Sequence, residues 1–174
     1  MQNWSKNVDF NDRGYLQPES LTELQELVRT HPKIRARGTA HCFNEIANTS
    51  SYAINLGKMP RVIDVNPEAN SVTVSSGLTY GELAPVLHNQ GWALNNLASL
   101  PHISIAGSIS TGTHGSGIKN QNLANQVLSL DLRHAVRSCR LRPGHAARRV
   151  RSREAALGDR GDGRRAQRGA RAEL

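Results

Sequence analysis

The residue types in this 174-residue chain that could do chemistry begin at Arg37-Gly38-Thr39-Ala40-His41-Cys42-Phe43-Asn44. Gly38 opens a turn of small residues, and such a turn brings backbone N–H groups close to an anion such as a pyrophosphate. His41 stands at the tip, where an imidazole can act as acid, base, ligand or nucleophile. Phe43 is expected to return the chain to apolar packing. A histidine in a small-residue turn is common as plain structure, so the weight falls on a second stretch, Ala98 to Gly117, which reads ASLPHISIAGSISTGTHGSG. Its side chains are mostly small, hydroxylic or absent, so it cannot build a bulky core. It can lay its backbone against a large flat ligand and offer N–H, C=O and hydroxyl groups. Ile103, Ile105 and Ile109 would anchor its back, whereas a mobile linker would be more polar.

Other chemistries find less support. The dinucleotide fingerprint G-x-G-x-x-G, the P-loop and the G-x-S-x-G elbow are absent. Seven histidines are present, but no pair has zinc-like spacing, so no metal site is expected. His31 and His88 fall near helix C-termini, where an imidazole meets free carbonyls. His102 and His114 lie inside the second stretch and could face a ligand.

The elements that must position these residues can be read from caps and periodicity. Ser20 and Glu23 form an S-x-x-E start, followed by Leu21, Leu24, Leu27 and Val28 on one helical face, with His31-Pro32 as the stop. Lys33 to Ala36 is a short strand leading into the first turn. Tyr52 to Leu56 is a second strand, and Val62–Val65 with Val72–Val74 form a hairpin. Thr79 and Glu82 repeat the capping pattern before a helix that contains Pro85 and stops at Gly91. Val127 to Leu132 reads as a further strand.

Charge divides the chain in two. Residues 1–132 carry nine Lys and Arg against ten acids, whereas residues 133–174 carry thirteen Arg against four acids. The net charge of +8 therefore belongs to the tail. That tail has no Phe, Tyr or Trp and no sustained period, so it is expected to be disordered. The switch in composition suggests out-of-frame translation of GC-rich DNA, which predicts that another reading frame beyond codon 132 restores alternating strands and helices. The tail lacks aromatics for base stacking, so only non-specific, salt-sensitive nucleic-acid contacts are expected. Two cysteines, Cys42 and Cys139, form no framework and suit a reducing cytoplasm. No secretory signal is visible, and no apolar run approaches the roughly twenty residues of a membrane span.

Taken together, GTAHCFN at 38–44 and ASLPHISIAGSISTGTHGSG at 98–117 resemble the PCMH-type FAD-binding domain of the vanillyl-alcohol-oxidase-type flavoproteins. Within that group the likeness is to the alditol (xylitol, sorbitol) oxidases. Asn3-Trp4, PESLTELQELV at 18–28, MPRVIDV at 59–65 and YGELAPVLHNQGWAL at 80–94 support it, so the resemblance runs from residue 3 to about 132. It implies an α+β fold, two small α/β subdomains with FAD between them, here incomplete because the family's substrate domain would follow where the tail begins. It implies that His41 bonds covalently to the 8α-methyl of the flavin. Gly38, Thr39, Ala40 and Cys42 would give backbone contacts to FAD, and Ser99, Ser104, Gly107, Thr111, Gly112, Thr113 and His114 would follow it from flavin to pyrophosphate. Ser99 also matches a position near the substrate's reacting hydroxyl. Ala40 and Cys42 depart from the commoner G-S/T-G-H-S loop, since alanine visits positive φ less easily than glycine and a thiol bonds more weakly than a hydroxyl. The implied partners are FAD, a small polyol and O2. The alternatives are a sugar-1,4-lactone oxidase, which shares the G-x-x-H loop, and a flavin-binding remnant without catalysis.

Overall fold

A computed structural model of the chain describes residues 1–133, 138–141 and 170–173. The caps set the helices. Ser20 Oγ accepts from the Glu23 N–H at 3.1 Å, and the Glu23 carboxylate reaches one residue further back, to the Glu19 N–H at 2.8 Å. This shifted box opens α1 (Leu21–Thr30). At its end His31 Nδ1–H donates to the Leu27 carbonyl at 2.9 Å, and Pro32 prevents a further turn. Helix α1 joins β1 (Gly14–Leu16) to β2 (Ile34–Ala36), and β3 (Tyr52–Ile54) inserts between them, parallel to both.

The second unit is antiparallel. Strands β4 (Ile63–Asn66) and β5 (Ser71–Val74) form the expected hairpin, and β6 (Val127–Arg133) lies in the same sheet. Helix α2 (Tyr80–Asn89) starts with a complete capping box between Thr79 and Glu82. Its end is a Schellman closure: Gly91 takes φ +79°, its N–H meets the His88 carbonyl at 3.0 Å, and the Trp92 N–H meets the Leu87 carbonyl at 2.9 Å. Pro85 lies inside this helix, which continues through it. Val72, Val74, Leu78, Leu83, Leu87, Ile103, Ile105 and Leu123 form the main core. Burying each such side chain contributes about 1.5–3 kcal/mol, so this cluster rather than helix propensity holds α2 against the sheet.

The sequence predicts no helix across 98–117, only a backbone able to lie against a ligand, but part of it is helical: α3 spans Ile105–Ser110. Small residues do not prevent a helix. They hide it, because only Ile105 and Ile109, four apart, mark an inward face. Ile103 and Ile105 are buried and Ile109 packs against the same core, as expected of them. Of the Arg-rich segment, two stretches are described, both as strands: β7 (Ser138–Leu141) beside β6, and β8 (Ala170–Glu173) between β5 and β6. These pairings use the open backbone edges of β5 and β6, which accept any extended chain and need no apolar side chains. The rest of the expected disordered tail lies outside the described residues. Among the described residues no helix is long and apolar enough to cross a membrane.

The two units meet at close backbone approaches. A Cβ on Gly77 would overlap the carbonyl oxygen of Leu56, just beyond β3. At the end of β3, Asn55 Nδ2 donates to the carbonyls of Arg37 and Gly38, at 2.8 and 3.0 Å. The turn carrying His41 is thereby fixed to the first sheet.

Candidate functional site

The site is built outward from Arg37, which follows β2 and is 2% exposed. Its guanidinium donates to Asp12 Oδ1 at 2.6 Å and to the Ala47 carbonyl at 3.3 Å, and lies 3.8 Å from the centre of the Phe10 ring. A buried cation is tolerated only when paired in this way. Sequence reasoning missed this anchor, because Asp12 lies 25 positions away and nothing local marks Arg37 as buried.

Gly38 then packs against the start of α3. A Cβ on Gly38 would run into Ser104 Oγ, and one on Gly107 would lie 2.7 Å from the same oxygen. The Ser104 hydroxyl is thus seated between two glycines. Thr39 Oγ1 accepts from the Ser104 N–H at 3.2 Å and, with its own proton, can donate to His41 Nδ1 at 3.0 Å. Ala40 takes φ +59°, the left-handed conformation that the sequence marks as awkward for a residue with a Cβ.

The His41 ring stacks on Trp4 with centroids 5.7 Å apart and planes 25° apart, and meets the His102 ring at 4.6 Å. Burial holds the imidazole below its ordinary value, and the neighbouring His102 lowers it further, against a main-chain hydrogen bond at Thr39 that raises it. His41 is therefore kept as a neutral imidazole, the form with a lone pair available for bonding. Burial pushes the Cys42 thiol up, so it stays protonated beside it.

Among the predicted site residues, the structure brings Gly38, Thr39, Ala40 and His41 together with Ser104 and Gly107. Thr111, Gly112, Thr113 and His114 follow the end of α3. Thr111 Oγ1 donates to the Gly107 carbonyl at 3.0 Å, Gly112 takes φ +68°, and the Thr113 N–H meets the Ser108 carbonyl at 3.3 Å. His114 is exposed, with Nδ1 donating to the Gly115 carbonyl at 3.0 Å, and Ser99 is exposed. Phe43 does not return to the core: it is 68% exposed, because the neighbouring Asn44 caps a 3-10 turn at Glu45–Ala47 and the small Ala40 and Ala47 take the buried places. Trp4, Asn3 and Asn7 were not among the predicted site residues, and His102, read as able to face a ligand, meets the His41 ring. The available signals were Asn3-Trp4, legible only through the resemblance, and a histidine inside the small-residue block. Among the described residues no group of three or more His, Cys, Asp and Glu is gathered to hold a metal.

Three buried polar atoms in this cluster, Arg37 Nη1, His41 Nε2 and Ser104 Oγ, have no hydrogen-bond partner. Buried polar atoms are rarely left so, and a polar cofactor at this turn would supply the partners that His41 Nε2 and Ser104 Oγ lack. Residues 13–135 match the FAD binding domain family. The chain is 41% identical over 146 residues to the alditol oxidase of Streptomyces sp. (strain IKD472 / FERM P-14339), covering 82% of this chain and 35% of that protein. It is 37% identical over 138 residues to the L-gulonolactone oxidase of Mus musculus, covering 77% and 31%. The chain thus spans about a third of the length of these relatives. A solved alkyldihydroxyacetonephosphate synthase shares the fold, with a TM-score of 0.65 and 20% identity over 75% of this chain and 26% of that one. The chain belongs to the FAD binding domain family, of the PCMH type found in vanillyl-alcohol-oxidase-like flavoenzymes, and FAD is its cofactor.

Proposed function

We propose that residues 1–132 are the FAD-holding part of an oxidase of alditols such as xylitol and sorbitol, with residues 133–174 a separate segment. FAD, when bound, would supply the two-electron redox chemistry by which a C–OH is oxidised and O2 is reduced to hydrogen peroxide. The observation that carries the site is that His41 Nε2, and Ser104 Oγ where it is closed in by Gly38 and Gly107, are buried without hydrogen-bond partners.

The chain's own residues hold and orient. Gly38, Thr39, Ala40 and Cys42 offer main-chain groups, and Ser104 and Gly107 form the facing wall. Thr111, Gly112, Thr113 and His114 extend that wall toward the pyrophosphate, and Ser99 borders the reacting hydroxyl of the substrate. His41, kept neutral, is the covalent tether to the flavin. A tether prevents loss of the cofactor and fixes its orientation at no cost per turnover. We place the protein in the cytoplasm, which its free Cys42 suits.

A lactone substrate is the second reading, favoured by the 37% identity to a lactone oxidase. The test is anaerobic bleaching of the flavin absorbance in the FAD-loaded chain. Xylitol or sorbitol bleaching it faster than L-gulono-1,4-lactone supports the alditol reading, and the reverse order supports the lactone reading. A loaded chain that neither substrate bleaches is a flavin-binding remnant, and the oxidase reading fails for it.

A further inference from the structure

The segment before residue 13, where the family match begins, folds back onto the His41 turn. Asn3 is its centre and is 3% exposed. Asn3 Oδ1 accepts from the N–H groups of Asn7 and Val8, at 3.0 and 3.1 Å, which closes residues 3–8 into a hook. Lys6 takes φ +59° at its bend, and the Asn3 N–H meets the Val8 carbonyl at 3.0 Å. With Oδ1 fixed, Nδ2 donates to the Cys42 carbonyl at 2.7 Å, and within the hook it also reaches Asn7 Oδ1 at 2.7 Å and Ser5 Oγ at 2.9 Å.

Two more bonds run from hook to turn. The Trp4 N–H donates to the Ala40 carbonyl at 2.8 Å, and Asn7 Nδ2 donates to the Phe43 carbonyl at 2.9 Å. Val8 and Phe10 bury themselves against Ala40 and Ala47. The turn has no strand or helix of its own at 37–44, so these carbonyls depend on the hook for partners. Ala40 is also held in a conformation that a free turn would leave. The Trp4 ring then stacks on His41 itself.

We infer that the N-terminal hook positions His41 for its bond to the flavin, with Asn3, Trp4 and Asn7 as positioning residues. This rests on the proposed tether at His41. In that bond a ring nitrogen joins the 8α carbon. One N–H and one C–H are lost, and the electron pair and two protons pass by way of the flavin to O2, which leaves as hydrogen peroxide. None of the three positioning residues exchanges atoms; each fixes where the ring nitrogen stands, and reacting groups displaced by about 1 Å can lose rate by two orders of magnitude.

The test uses the full chain and three variants, Asn3→Asp, Trp4→Ala and Trp4→Phe. Aspartate keeps the acceptor for the Asn7 and Val8 N–H groups but loses the donor to Cys42, together with its contacts to Ser5 Oγ and Asn7 Oδ1, and phenylalanine keeps a ring over His41. Each protein is incubated with FAD, and bound flavin is divided into the part that survives acid precipitation and the part released. Asn3→Asp and Trp4→Ala are expected to attach flavin at least about tenfold more slowly while still holding FAD reversibly, and Trp4→Phe to recover most of the rate. Attachment at the wild-type rate in Asn3→Asp and Trp4→Ala overturns the hook and leaves the tether standing. Losses that Trp4→Phe shares in full, or that only follow a loss of folded helix signal, also overturn it. If the wild type itself attaches no flavin, the tether reading fails, and amide exchange of residues 39–44 decides on the hook. Faster exchange in Asn3→Asp supports it, and unchanged exchange overturns it.

Discussion

His41 works as a bonding group only while its ring is neutral, and its surroundings favour that state through burial first and His102 second. The sign of the pH effect follows. The folded ring titrates below the ordinary value of about 6.5, so between the two values the unfolded chain binds more protons. Stability from this group is present above about pH 6.5 and is lost as pH falls through the folded value. Urea unfolding of wild type and His41→Asn at pH 7.5 and pH 5 checks this: the wild type is expected to lose more stability on acidification than the variant. Ala40 weighs opposing terms. Its left-handed φ costs about 1–2 kcal/mol, but glycine there would give up a buried methyl worth about 0.8 kcal/mol and about 0.4–1 kcal/mol of chain entropy. Ala40→Gly is therefore expected to stay within about 1 kcal/mol of wild type, whereas Ala40→Val, β-branched at positive φ, should cost at least about 2 kcal/mol in the same titration. At this scale the sequence marks His41 and Gly38, whose residue types announce chemistry and turn, and flags Ala40 as awkward. It cannot mark Trp4 and His102 as neighbours of His41, since their contact exists only once distant segments meet.

At the scale of elements, the His41 turn and α3 meet through glycines, and the fit depends on one hydroxyl. Gly38→Ala is expected to destabilise by about 1–2 kcal/mol, because its Cβ displaces Ser104 Oγ from its seat. Ser104→Ala alone should be close to neutral in the cofactor-free chain, since its hydroxyl has no partner to lose. In Gly38→Ala with Ser104→Ala the new methyl would stand 3.5 Å from the residue-104 Cβ, an ordinary contact. A double-mutant cycle by thermal unfolding should therefore show positive coupling of about 1 kcal/mol, and simple additivity would count against the packing described. The joint at Gly77 offers no such relief, because its obstacle is the Leu56 backbone. Gly77→Ala should cost about 2–3 kcal/mol and lower Tm accordingly. The helices α1 and α2 and the β4–β5 hairpin were legible because caps, periodicity and β-branched runs are local signals. Helix α3 was not, because its residues were chosen for closeness to Gly38 and carry almost no amphipathic pattern.

In the whole molecule, a parallel sheet with α1 and an antiparallel sheet with α2 and α3 each bury their own apolar residues, and the polar turn lies where they touch. The family was legible from the two small-residue stretches. Two strands within the Arg-rich segment were not legible, since edge pairing leaves no side-chain signature. The chain spans about a third of its relatives' length, and the proposed tether at His41 lies within that third. Intact-mass measurement after incubation with FAD in air tests the tether most directly. One increment equal to FAD less two hydrogens is expected, mapped to the peptide holding residues 38–44 and absent from His41→Ala. An unchanged mass in folded wild-type protein saturated with FAD, or an increment that persists in His41→Ala, would contradict it.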